Sequence, residues 1–144
     1  MFVLDADNTI YPPTLEKLAR ALTAHPDASF AYGIVPKSDG SGLLSQFPWD
    51  VQRLCKDNYI DAMAMIRRPV LSELGGYDEY FGLRGWEDYD LWLRVAAAGG
   101  RAEFVPEFIG TYRVHSTSRQ TTVDLDTATL MSDFHLRYPY LPWN

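Results

Sequence analysis

Apolar runs suited to strands alternate with apolar stripes suited to helices along most of this chain, and that alternation restricts it to an α/β layer architecture. Phe2-Val3-Leu4 reads as a short buried strand that ends at Asp5. Pro12-Pro13-Thr14 opens a helix, because proline is tolerated in a first turn and threonine can cap one. Leu15, Leu18, Ala19 and Leu22 follow as one helical stripe, and His25-Pro26 ends it. Phe30 to Val35 is the next strand. Residues 36–58 read as loop around the turn cluster Ser38-Asp39-Gly40-Ser41-Gly42. Asn58 to Ile66 is apolar and compatible with either strand or helix, with Met63 and Met65 as core residues. Pro69 to Leu74 predicts a short helix stopped by Gly75-Gly76. Trp86 to Ala98 is the clearest helix, stopped by Gly99-Gly100. Phe104 to Val114 is extended, Asp124 to Tyr138 predicts a terminal helix, and Leu141-Pro142-Trp143 is a tail.

Composition narrows the function. The 144 residues suit one domain, and 47% hydrophobic with 14% aromatic content supplies a core. A formal charge of −6 and the lack of a basic face argue against nucleic acid as a partner. An acidic protein that handles a phosphate-bearing substrate needs a divalent cation to cancel the repulsion. The single cysteine, Cys55, has no internal disulfide partner, which fits a reducing compartment. No apolar run reaches the ~20 residues of a membrane span, and no signal peptide precedes the first strand. The expected location is the cytoplasm, with peripheral attachment to a membrane left open. Met1 leads directly into an apolar strand, so the sequence reads as a piece of a longer protein.

Two acidic motifs carry the chemistry. In Asp5-Ala6-Asp7-Asn8, extended backbone would point two carboxylates to one side at the end of a strand. Ligands of open α/β sheets bind there, and two carboxylates plus substrate phosphates make a common Mg²⁺ or Mn²⁺ arrangement. A plain turn explains the same residues equally well. In Gly85-Trp86-Glu87-Asp88-Tyr89-Asp90-Leu91-Trp92-Leu93-Arg94, acids crowd the first turn of a helix. The helix dipole favours them there, and Asp90 and Arg94 are spaced to pair. Yet Glu87 and Asp88 lie between Trp86 and Tyr89, and an acid beside large aromatic rings suits a sugar-hydroxyl site.

These motifs, with Leu74-Gly75-Gly76-Tyr77-Asp78-Glu79-Tyr80-Phe81 between them and Tyr112-Arg113-Val114-His115 after them, occur in an order that resembles family 2 glycosyltransferases. The likeness covers residues 1 to about 120. It implies part of a nucleotide-diphospho-sugar transferase (A-type) fold: a mixed sheet flanked by helices, with residues 1–120 as the acceptor-side part of the catalytic domain and 121–144 as a C-terminal helix and tail. The family's opening nucleotide-binding strand and helices do not precede Asp5 here, and Asn8 stands where the family often has another aspartate.

The resemblance implies inverting, metal-dependent sugar transfer from a nucleotide-diphospho-sugar to an acceptor hydroxyl on a glycan, a lipid-linked glycan or a protein. In that reading Asp88 is the catalytic base and Glu87 orients the site. Asp5, Asp7 and His115 hold Mn²⁺ or Mg²⁺. Asp5, Asp7 and Arg113 contact the donor's diphosphate, while Trp86, Tyr77 and Asp78 meet the acceptor. Tyr80 and Phe81 belong to the acceptor floor or to the core. Two rivals remain at this stage. Leu4 to Tyr11 also resembles the first motif of haloacid dehalogenase-like phosphatases, which would make Asp5 a nucleophile and Asp7 a general acid, with Lys37 as a forced third member. Alternatively, the chain is a non-catalytic module that folds or forms a homodimer.

Overall fold

A computed structural model describes residues 1–114 and 127–143. Its centre is the strand β2 (Ala28–Pro36). On β2 lie the antiparallel β3 (Leu43–Leu44) and β4 (Ala64–Ile66) and the parallel β5 (Arg101–Phe108), so the sheet is mixed. A separate two-stranded ribbon pairs β1 (Thr9–Ile10) with β6 (Gly110–Thr111). Six helices are described: α1 (Thr14–Ala24), α2 (Val51–Leu54), α3 (Arg68–Glu73), α4 (Glu79–Gly82), α5 (Glu87–Ala97) and α6 (Thr127–Arg137).

Alternation along β2 sorts the core into two layers. Ala31 and Val35 pack with Leu18 and Leu22 of α1, together with Met63 and Ile109. Phe30 and Tyr32 face the other way and pack with Leu91, Trp92 and Val95 of α5 and with Leu130 and Phe134 of α6. Trp92 stacks on Phe30, with centroids 4.1 Å apart, and its Nε1 donates to the Ile60 carbonyl at 3.1 Å. Helix α6 is thus part of the same core as α5.

Several sequence expectations change in the structure. Phe2 to Leu4 is not a buried strand. Phe2 makes one antiparallel bridge to Met65, and Leu4 is exposed, because this segment lies outside β4, where little packs over it. The α1 stripe is narrower than expected: Leu18 and Leu22 are buried, whereas Leu15 and Ala19 face solvent. Thr14 does not cap the helix; its hydroxyl donates to the Ile109 carbonyl and ties α1 to the chain between β5 and β6. The segment 36–58 holds β3 and α2 within its turns, and Asn58 to Ile66 resolves into a pinned loop followed by β4. Phe81 is core, while Tyr80 is half exposed.

Asp90 is fully buried and links α5 to α6. It accepts from Arg94 Nε at 2.8 Å and from the Tyr138 hydroxyl, with Arg137 Nη1 3.8 Å away. Removing one partner from such a buried network leaves uncompensated charge. Asp90→Ala should therefore lower the unfolding free energy by about 3–5 kcal/mol in urea titrations; a loss below about 1 kcal/mol would show that the network is dispensable.

Candidate active site

The first acidic motif is a turn. Asn8 N–H donates to the Asp5 carbonyl at 3.1 Å, closing Asp5-Ala6-Asp7-Asn8 on itself. Asp and Asn favour such turns, because their short side chains bond to nearby backbone. The expectation of extended backbone with both carboxylates on one side is therefore corrected. The turn presents Asp5 and Asp7 at the surface and buries Asn8 beneath them.

Asn8 joins this turn to the far end of the chain. Its Oδ1 accepts from the Arg113 backbone N–H at 2.9 Å, just beyond the β1–β6 ribbon. That ribbon needs a glycine at position 110, where a Cβ would collide with the Thr9 carbonyl oxygen. The Asp5–Asn8 turn and the Tyr112-Arg113 segment, a hundred residues apart, thereby become neighbours. The Asn8 amide nitrogen is buried with no partner among the described residues. Arg113 itself is exposed, and His115 lies outside the described residues.

The second acidic motif opens α5 and divides its acids by role. Asp90 turns into the core as described, which accounts for the Asp90–Arg94 spacing. Arg94 also donates from Nη1 to the Leu74 carbonyl at 2.5 Å, fixing the turn before α4. Asp88 turns the other way. Its carboxylate accepts from the Tyr89 backbone N–H at 2.7 Å and from the Asn58 amide at 3.3 Å and 3.4 Å, one distance to each oxygen. Glu87 is half-buried, and its Oε2 has no partner among the described residues.

A carboxylate that sequence reading passed over completes the cluster. Asp61 accepts from Met63 N–H at 2.9 Å, and its own N–H donates to the Ser45 hydroxyl at 2.9 Å. Ser45 is buried and holds a positive φ of 55°, a left-handed conformation that a non-glycine residue adopts at a cost. The signal was present in the sequence: a single acid inside the apolar run Tyr59 to Ile66 needs a reason to be there.

Two tyrosines report how these groups converge. The Tyr112 hydroxyl is pushed above its ordinary pKa first by burial and then by the negative charges of Asp61, Asp7, Asp5 and Asp88. Tyr77 is pushed up to about 12 by burial and by Asp88, Glu87 and Asp5, with Arg94 opposing. Asp5 and Asp88, one from each acidic motif, therefore bear on both tyrosines, with Asp61 and Asp7 bearing on Tyr112 as well. The crowding acts on the acids as well. Burial and the Asp61 charge raise Asp88 to about 7, against the pull of Tyr89 N–H and Asn58. Burial and the Asp5 charge raise Asp61 to about 6. Both residues are half-buried.

Not every residue expected at the site has a free functional group. Both oxygens of Asp78 are engaged structurally: Oδ1 caps α4 by accepting from Phe81 N–H at 3.2 Å, and Oδ2 pairs with Arg137 at 2.7 Å. Asp78 thus caps α4 and pairs with Arg137. Trp86 begins α5 half-buried, 5.6 Å from the Tyr89 ring and 6.2 Å from Phe134, so much of its surface packs on the core.

Comparison with known proteins identifies the family. Residues 50–121, half of the chain, match the family described as glycosyltransferase like family 2. The match includes Asn58, Asp61, Tyr77, Asp88 and Tyr112. The chain belongs to that family. It is 28% identical over 131 residues to the O-antigen biosynthesis protein RfbC of Myxococcus xanthus, covering 88% of this chain and 10% of that protein. It is 30% identical over 96 residues to the uncharacterized protein y4gI of Sinorhizobium fredii (strain NBRC 101917 / NGR234), covering 64% of this chain and 10% of that protein. The chain thus spans about a tenth of the length of the curated relatives it matches. No helix among the described residues is long and apolar enough to cross a membrane.

The raised acids make stability depend on pH with a definite sign. Asp88 and Asp61 have folded pKa values of about 7 and about 6, above the ordinary 3.8. The folded state therefore holds protons that the unfolded state releases. Their contribution is complete below the ordinary aspartate pKa and is lost as pH rises through 6 to 7. Asp88→Asn should consequently raise the unfolding free energy at pH 8 by on the order of 1 kcal/mol after solvent screening, and change it little at pH 4. Urea unfolding at both pH values measures this; equal effects at the two would show that Asp88 is not electrostatically strained.

Proposed function

We propose that this chain carries the acceptor side of a sugar-transfer site, in which Asp88 takes the proton of the acceptor hydroxyl. The observation that supports it most is the convergence of Asp88, Asp61 and the Asp5–Asn8 turn on Tyr77 and Tyr112. A general base works best with a pKa near the operating pH, and burial, with the Asp61 charge behind it, raises Asp88 to about 7. Family membership supplies the reaction class: a bond forms between the acceptor oxygen and the anomeric carbon as the bond from that carbon to the departing nucleoside diphosphate breaks. Attack from the face opposite the leaving group inverts the configuration. The hydroxyl proton goes to Asp88, and the leaving group carries away the bonding electrons.

Asp5 and Asp7 suit the donor's diphosphate end. A surface turn of two carboxylates offers hard oxygen ligands that substrate phosphates would complete, as Mg²⁺ or Mn²⁺ prefers. When bound, the cation supplies charge neutralisation for the departing diphosphate. Arg113, exposed beside the turn, is placed to add a guanidinium to the same phosphates. Glu87, half-buried next to Asp88, orients the acceptor, and Tyr77 and Trp86 supply aromatic surface to the sugar. The name of the Myxococcus relative points to a surface polysaccharide as the acceptor class.

Asp88→Asn should reduce sugar transfer at least a hundredfold while leaving the Kd for nucleoside diphosphate with Mn²⁺, measured by calorimetry, unchanged. Undiminished turnover in that variant would remove Asp88 from the mechanism.

A further inference from the structure

The loop before β4 contacts the proposed base directly. We infer that Asn58 is a positioning residue for Asp88: its side-chain amide reaches both oxygens of that carboxylate and fixes the direction in which the carboxylate faces the cleft. This rests on the reading of Asp88 as base.

Asn58 is held in place by its surroundings. Two side chains from the helix that carries Asp88 bond to backbone on either side of Asn58. Tyr89 donates its hydroxyl to the Leu54 carbonyl at 2.6 Å, and Trp92 donates Nε1 to the Ile60 carbonyl at 3.1 Å. The neighbouring Tyr59 is clamped as well: its hydroxyl donates to the Pro48 carbonyl at 3.0 Å and accepts from Asp50 N–H at 2.9 Å. Ser45 N–H donates to the Tyr59 carbonyl at 2.9 Å. The separation between Asn58 and Asp88 is therefore set by bonds that neither residue makes. A contact held this way costs no reorganisation at the moment of reaction.

The amide itself is placed at a cost. Asn58 Nδ2 lies 3.3 Å and 3.4 Å from the two oxygens of Asp88, while its own Oδ1 is buried with no partner among the described residues. An unpaired buried carbonyl oxygen is destabilising. A residue selected only for packing would leave no such atom, so the contact with Asp88 is what accounts for an amide here.

Asn58 also bears on the charge state of the base. Burial, Asp61 and Glu87 oppose ionisation of Asp88, whereas the Tyr89 N–H and the Asn58 amide favour it. Asp5 and Asp88 act on both Tyr77 and Tyr112, and Asp7 acts on Tyr112. Within this group Asn58 is the neutral side chain whose donors meet the carboxylate. Removing it should move the protonation midpoint of Asp88 upward, and removing Asp61 should move it downward. Residues that merely support the fold would not produce opposite shifts.

Two measurements test this. The first follows the Asp88 carboxyl carbon by NMR through a pH titration of this chain, with no turnover needed. Asn58→Ala, and more strongly the same-shaped Asn58→Asp, should raise the Asp88 midpoint, and Asp61→Asn should lower it. An Asp88 midpoint that does not move in a folded Asn58 variant overturns the inference, and having two variants at this position guards against one failing to fold. The second is the pH profile of sugar transfer. Asn58→Ala should shift the acid limb to higher pH and lower kcat roughly ten- to a hundredfold with KM for donor little changed. If Asp88→Asn abolishes transfer but Asn58→Ala changes neither limb nor kcat, this inference fails alone. If Asp88→Asn itself leaves transfer intact, the reading of the base fails instead.

Discussion

Trp92 determines where the chemistry sits. Its ring stacks on Phe30 of the central strand, and its indole N–H reaches the Ile60 carbonyl. One side chain thereby locks α5 to the sheet and to the loop before β4. Every residue of α5 inherits that placement through the rigid helix, so Asp88, one turn earlier, is aimed at Asn58 and Asp61. Burial of a large aromatic ring with its polar edge satisfied is among the stronger single constraints available to a small domain. Asp90 reinforces it from the other side of the helix by drawing Arg94, Tyr138 and Arg137 together.

A second constraint comes from the ends of the sheet. The β1–β6 ribbon and the bond from Arg113 N–H to Asn8 carry the Asp5–Asn8 turn to the segment that follows β6. The result is a concentration of negative charge that the fold tolerates at some cost, visible in the raised pKa of Asp88, Asp61 and both tyrosines. Folds seldom gather like charges without a use for them, and perturbed acids in a cleft are the usual mark of a functional site.

Much of this was legible in the sequence, and the failures have physical causes. The helix at Glu87–Ala97 could be read because an apolar stripe, acids in the first turn and a glycine after the end all agree; Gly99 has a φ of 73° as a stop requires. The strand Ala28–Pro36 was legible in its middle, Phe30 to Val35, where the residues are largely apolar. Phe2 to Leu4 misled because apolar character was taken as burial, whereas burial depends on what packs above. Leu15 misled for the same reason. Asp5 and Asp7 were found by residue type, and the sequence left turn and extended pair open, since the two share the same residues. Asp78 looked like a site residue within an acidic, aromatic stretch, and only the position of Arg137, remote in sequence, shows it to be a cap. Asp61 and Asn58 were missed because their role comes entirely from tertiary neighbours; the one hint was an acid within the apolar run.

The central claim is that two acidic motifs, more than eighty residues apart, face one space. Tyr112 lies at that meeting point, so its hydroxyl titration, followed at the ring carbon bearing the oxygen, tests the claim directly. Neutralising either side, by Asp7→Asn or by Asp88→Asn, should lower the Tyr112 pKa in this chain, because each removes a negative charge that opposes phenolate formation. A Tyr112 that responds to one substitution and ignores the other would place the two motifs in different environments and contradict the account.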